Sequence, residues 1–140
     1  HLPILLKGIL HPQDALRAKS LGVSGVVVSN HGGRALEGSP ASLAALPQVR
    51  SAVGDDFLLL LDGGIRRGSD VFKALALGAD AVMLGRPQAY GLGAAGSLGV
   101  AQVLRLLREE LELTMALGGC ASLSDITPAC LMNPNEFLVC

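Results

Sequence analysis

His31 and Arg34 stand three residues apart with only Gly32 and Gly33 between them, at the end of the apolar run Gly25-Val26-Val27-Val28. An imidazole titrates near neutrality and can take a proton from a carbon or a hydroxyl, while a guanidinium presents a planar pair of donors that matches a carboxylate. Alone, the histidine reads as a hydrogen-bonded structural residue and the arginine as a surface charge. Together, with two glycines clearing space between them, they read as a base and a cation that orients a bound acid. Lys7 ends another apolar run and precedes Gly8. An ammonium there must reach solvent or meet an anion, because burying it unpaired is costly.

Two glycine-arginine stretches complete the set, Asp62-Gly63-Gly64 with Arg66, and Gly85-Arg86. Glycine lets backbone N–H groups come close to an anion, a following helix N-terminus favours negative charge, and arginine adds a fork of donors. Each stretch also reads as an ordinary tight turn with a solvated arginine. Their occurrence in consecutive steps favours phosphate.

These residues need a scaffold that brings strand ends together. Short apolar runs at Pro3–Leu6, Val26–Val28, Phe57–Leu61 and Ala81–Leu84 alternate with helical patterns at Asp14–Ala18 closed by Gly22, Ala41–Val53, Val71–Leu77 closed by Gly78, and a long amphipathic helix behind Ser97 as N-cap. On that last helix Val100, Val103, Leu104, Leu107 and Leu111 share a stripe, and Gly118-Gly119 ends it. A shift of 56 residues superimposes Leu5, Gly8, Ile9, Asp14 and Leu21-Gly22 on Leu61, Gly64, Ile65, Asp70 and Leu77-Gly78, so the chain holds a repeated unit of two β-then-α steps. Strands that are apolar throughout and alternate with helices indicate α/β class, a parallel sheet covered by helices. Four such steps repeated in pairs indicate the C-terminal half of a (β/α)8 barrel, with residues 1–119 as that half and 120–140 as an irregular tail without assigned function. Every polar residue named above then falls at a strand's C-terminal end, the rim where barrel enzymes keep their active sites.

Composition narrows the function classes. The chain has 140 residues, half of them apolar, with a net charge of −1, which suits one modest core and gives no electrostatic case for nucleic acid or an anionic membrane as partner. The uncharged stretch Pro87–Leu104 is interrupted by glycines and two glutamines, a poor pattern for a membrane span. Cys120, Cys130 and Cys140 match neither a C-x-x-C redox pair nor a zinc spacing, so no metal is assigned, and all three are read as inert thiols of a reducing interior. The chain opens on His1 directly before a strand-like run and reads as a fragment.

The stretches LLKGIL, GVVVSNHGGR, LDGGIRRGSDVFKALALGADAVMLGRP, YGLGAAGSLGV and ELELTMALGG resemble the FMN-dependent α-hydroxy-acid oxidase and dehydrogenase family, over residues 3–119. The resemblance implies a TIM barrel seen from its fifth strand onward, with FMN at the C-terminal mouth. It implies that His31 is the active-site base, that Arg34 pairs with the substrate carboxylate, and that Lys7 lies beside the flavin N1 and C2 carbonyl. It implies that Ser29 contacts the flavin ring, and that Asp62, Gly63, Gly64, Ile65, Arg66, Gly85 and Arg86 hold the ribityl and phosphate groups. The implied reaction oxidises a small (S)-2-hydroxy acid to the 2-oxo acid, with electrons passing as hydride or through a carbanion, and with oxygen or another acceptor as second substrate. A homo-oligomer is implied for a complete barrel, and a peroxisomal or cytoplasmic location follows by analogy alone.

Ala35 and Glu37 depart from the glutamine and aspartate usual in that family just after the arginine, a change that bears on fine specificity. Two other readings remain open at this level. DGGIRRGSD and ALALGADAVMLG also resemble nucleotide dehydrogenases of the inosinate type, which use a catalytic cysteine loop, and no cysteine here follows a strand. Alternatively, the chain is an inert half-barrel whose open sheet edges need a partner.

Overall fold

The computed structural model describes residues 2–132, so Cys140 lies outside the described residues. Four strands, β1 (Leu5–Ile9), β2 (Gly25–Ser29), β3 (Leu58–Asp62) and β4 (Ala81–Met83), alternate with four helices, α1 (Pro12–Ser20), α2 (Ser42–Val53), α3 (Gly68–Ala76) and α4 (Arg86–Leu117). The strands form one sheet in the order β1-β2-β3-β4, every neighbour parallel, with β1 and β4 at its edges. This is the four-step α/β arrangement that the alternation of apolar runs implies.

The core lies between the sheet and its helices. All five residues of β2 are buried, as a β-branched run flanked by strands on both sides requires, and Val26 and Val28 join Leu46, Val49, Val53, Leu59 and Leu61 in one cluster. Full burial of each Val or Leu is worth about 1.5–3 kcal/mol. The edge strand β1 buries less, leaving Leu5 and Leu6 each more than a third exposed.

The internal repeat is clearest in the helices, since α1 and α3 are both nine residues long and offset by 56 at each end. The strands depart from it. β1 runs on past Lys7 through a bulge, where Lys7 pairs with Val27 and Ile9 already pairs with Val28. Gly8, at φ 100°, is the residue that the bulge leaves without a partner. Lys7 therefore sits inside the strand, two residues before its end.

Two expectations for the last helix are corrected. It starts at Arg86, with Pro87 in its first turn, and Ser97 is not its cap. Ala95 and Gly96 break the helical path, so Ser97 opens only the second segment. The glycines at 91 and 93 hide the first segment from a propensity reading, each costing about 1 kcal/mol in a helix. Leu104, placed by pattern on the buried stripe, is half exposed, whereas Leu107 is buried.

Two devices hold the elements at their outer ends. Glu110 Oε2 on α4 accepts from the Gly68 backbone N–H at 2.7 Å, fastening the start of α3. Arg50 on α2 donates to the carbonyls of Gly78 (2.8 Å), Gly54 (2.8 Å), Asp55 (3.4 Å) and Phe57 (2.9 Å), and to Asp80 Oδ2 (2.7 Å). The same Asp80 oxygen accepts from Leu59 N–H at 2.7 Å, so one guanidinium joins the loops that precede β3 and β4.

After α4 the chain forms two short 3-10 turns, Leu123–Asp125 and Pro128–Cys130. They are packed rather than loose: Cys120 and Ile126 are buried with Phe72 and Ala76 of α3. Among the described residues no helix is long and apolar enough to cross a membrane.

Candidate active site

The in-register pairing of Ser29 with Asp62 puts two polar side chains side by side at the ends of β2 and β3, and Lys7 reaches them from β1. Lys7 Nζ lies 2.6 Å from Asp62 Oδ2 and donates to Ser29 Oγ at 3.0 Å. The Ser29 hydroxyl donates to the same Asp62 oxygen at 2.6 Å and also accepts from the His31 backbone N–H at 3.1 Å. Its one proton and two lone pairs are thereby all in use. Burial alone pushes the Asp62 carboxyl up, but the hydrogen bonds from Lys7 and Ser29 and the Lys7 charge outweigh it and hold the group below its ordinary range. The anion that Lys7 must meet is thus a carboxylate of the chain itself.

His31 opens a left-handed turn. It has φ 56°, the one positive value for a non-glycine residue among the described residues, and Gly32 and Gly33 follow at 74° each. Asn30 fixes this conformation: its Oδ1 accepts from Gly32 N–H at 3.1 Å, its Nδ2 donates to Pro40 O at 3.2 Å, and its backbone N–H donates to the buried Ser42 Oγ at 3.0 Å. The imidazole lies over Gly8, where an added β-carbon would stand 2.6 Å from Nε2. Arg34 curls back, its Nε donating to His31 O at 3.3 Å, and Arg86 reaches the same glycine turn, since a β-carbon on Gly32 would stand 3.6 Å from an Arg86 nitrogen and 3.9 Å from Arg34 Nε.

A cavity of about 730 Å³ opens at this rim. Lys7, His31, Arg34, Asp62, Arg66 and Arg86 line it, together with Gly63, Gly64, Ile65 and Gly85. Of the residues that the sequence places around the bound molecules, Ser29 and Gly33 do not border it; Ser29 is fully buried, and its hydroxyl is taken up by Lys7, Asp62 and His31. Ser29 supports the site from beneath. Tyr90 and Gln88, in the first segment of α4, also line the cavity; the sequence reading missed them because it began that helix too late. Asn30 was missed as well, although asparagine directly after a strand is itself a turn signal. Cys120 and Cys130 lie away from the cavity, on the outer side with α3 and α4.

The donor set tests which ligand fits. Asp62 is the one carboxylate among the cavity's lining residues, and it is paired with Lys7; among the described residues Arg34, Arg66 and Arg86 have no carboxylate within 4.0 Å. Three guanidiniums without an internal counter-ion, beside glycine-lined backbone and the start of α4, suit a ligand bearing phosphate and a second one bearing carboxylate. FMN with an organic acid meets that description.

A sequence profile of the FMN-dependent dehydrogenase family matches residues 1–133, running past Gly119 into the tail. An L-lactate oxidase of Alicycliphilus denitrificans is 60% identical over 126 residues, which is 90% of this chain and 34% of that protein. A peroxisomal (S)-2-hydroxyacid oxidase of Arabidopsis thaliana is 55% identical over 137 residues, 98% of this chain and 38% of its own length. Among solved structures, a lactate oxidase of Pediococcus acidilactici superposes with a TM-score of 0.88 at 50% identity, covering 91% of this chain and 35% of the other. A mandelate oxidase crystallised with 3,3-difluoro-2-hydroxy-3-phenylpropionic acid gives 0.87 at 50% identity, covering 91% and 38%. The chain spans little more than a third of the length of these relatives. With a profile match over nearly its whole length and the rim residues drawn around one cavity, the chain belongs to the FMN-dependent dehydrogenase family.

Proposed function

We propose that this chain supplies the catalytic rim of an FMN-dependent oxidase that converts a small (S)-2-hydroxy acid to the 2-oxo acid. The observation that carries this reading is the sharing of one cavity by an imidazole, a paired ammonium and three guanidiniums that, among the described residues, have no carboxylate partner. The oxidase names of the relatives support it.

Bound FMN would supply the two-electron acceptor. Arg34 takes the substrate carboxylate in its fork of donors, and Gly32, beside it on the cavity wall, leaves room for the rest of the acid. The His31 imidazole accepts the proton from the hydroxyl or its carbon. Lys7, steadied by Asp62 and Ser29, would lend its positive charge to the flavin ring. Gly63, Gly64 and Gly85, with Ile65, Arg66 and Arg86, would hold the ribityl and phosphate groups. Oxygen as the electron acceptor, a peroxisomal location and assembly with further copies belong to the same reading, the first two supported by the names of relatives.

The test is His31→Gln in the full-length, FMN-loaded protein. We expect the flavin to stay bound while turnover of (S)-lactate or glycolate falls by about 100- to 10,000-fold. Unchanged turnover would remove the imidazole as base. The open edges at β1 and β4, with Leu5, Leu58 and Met83 exposed, favour a second reading for the isolated 140 residues, namely that they are inert without a covering partner. Titration of that isolated chain with FMN would then leave the flavin spectrum unchanged; tight binding would refute inertness.

A further inference from the structure

The sequence spacing of Cys120 and Cys130 matches no redox motif, yet the fold brings their Sγ atoms to 3.7 Å. Both are free thiols, and both point at one acceptor, Asp125 O, from 3.7 and 3.5 Å. Two side chains that converge on the same carbonyl are already directed at each other. Closing to a bond of about 2.05 Å needs an approach of about 1.6 Å. The residues between them carry the 3-10 turn Leu123–Asp125 and the buried Ile126, so the chain that the bond would close is already folded back on itself.

We propose that Cys120 and Cys130 are a reversible disulfide site, closed by exchange with a low-molecular-weight disulfide, that locks the loop of residues 120–130 packed on α3 and α4. The two thiols divide the work. Cys130 is half-buried, and a hydrogen bond from the Thr127 backbone holds its thiol below the ordinary range, so it is the thiolate that meets the incoming reagent. Cys120 is buried, and burial pushes its thiol up. The Cys130 thiolate attacks the small disulfide, forming a mixed disulfide and releasing one small thiolate. Cys120, losing its proton, then attacks the Cys130 sulfur, forming the internal bond and releasing the second small thiolate. The two cysteines together lose two electrons and the reagent gains two, while the protons go to the departing thiolates.

The experiment uses the full-length, FMN-loaded protein incubated with oxidised glutathione, quenched in acid and alkylated. Trypsin is of no use, because no lysine or arginine lies between Arg108 and Cys140, but cleavage before Asp125 and after Glu136 separates all three cysteines of this stretch. We expect the Cys120 and Cys130 peptides to appear joined, and to part on treatment with dithiothreitol. In Cys120→Ser the glutathione should stay on Cys130. Either cysteine joined to Cys140, glutathione persisting on Cys130 in the unaltered protein, or full alkylation of both thiols would overturn the proposal. The map of the unaltered protein decides the matter even if the variant fails to fold.

Discussion

Gly8 lies beneath the imidazole of His31, so close that a β-carbon at position 8 would stand 2.6 Å from Nε2. The bulge in β1 and the left-handed turn after β2 come together at this contact, and the imidazole owes its position to the absence of a side chain on the neighbouring strand. In the full-length protein, Gly8→Ala should displace the imidazole and lower kcat by on the order of 100-fold. The strained φ of 100° should in addition cost about 1–2 kcal/mol of stability. Steady-state kinetics and urea unfolding check the two effects separately, and full activity would show that the imidazole tolerates the methyl group.

Ser29 offers a second test of the buried support. Ser29→Ala removes the acceptor of the His31 N–H and the donor to Asp62 in a fully buried position, so a loss of about 1–3 kcal/mol is expected. Chemical denaturation measures it. A neutral result would mean that water replaces the hydroxyl at no cost.

The Asp62 carboxyl is held below its ordinary value near 3.8, so it adds stability above that value and loses it as the pH falls through the lower folded value. Lys7 is 38% exposed, which screens the pair to about 1 kcal/mol. Urea unfolding at pH 7 and pH 3 should show this increment in the unaltered protein, and Asp62→Asn should lack it. Equal pH dependence of the two proteins would assign the increment elsewhere.

Arg34→Lys keeps the charge but discards the planar fork. If the carboxylate is bound in the manner proposed, kcat/KM for a 2-hydroxy acid should fall by about 10- to 100-fold, from the loss of a charge-assisted bond worth about 1.5–3 kcal/mol. Initial-rate measurements across substrate concentration test this, and an unaltered KM and kcat would exclude Arg34 from the carboxylate site.

Much of this arrangement is legible from the chain because it depends on local pattern. Apolar runs bounded by glycine mark the strands, and the offset of 56 anticipates two helices of equal length. The rim residues are legible for the same reason, since each sits within a few residues of its strand's end. What stays hidden depends on register and distant packing. Ser29 is buried because Lys7 and Asp62 close over it from sequence separations of 22 and 33. The meeting of Gly8 with His31 needs the bulge, and the approach of Cys120 to Cys130 needs two turns folded against α3. Tyr90 was missed because a glycine-rich segment is helical only in the packed molecule.

Arg50 works at the opposite pole from the cavity. Its guanidinium rivets the loops ahead of β3 and β4 through four backbone carbonyls, which every residue type possesses, and through the carboxylate of Asp80. The cavity at the other end can therefore exchange its lining residues without loosening the base on which the strands stand. Anchorage and cavity are housed at separate poles, so each can change without unsettling the other.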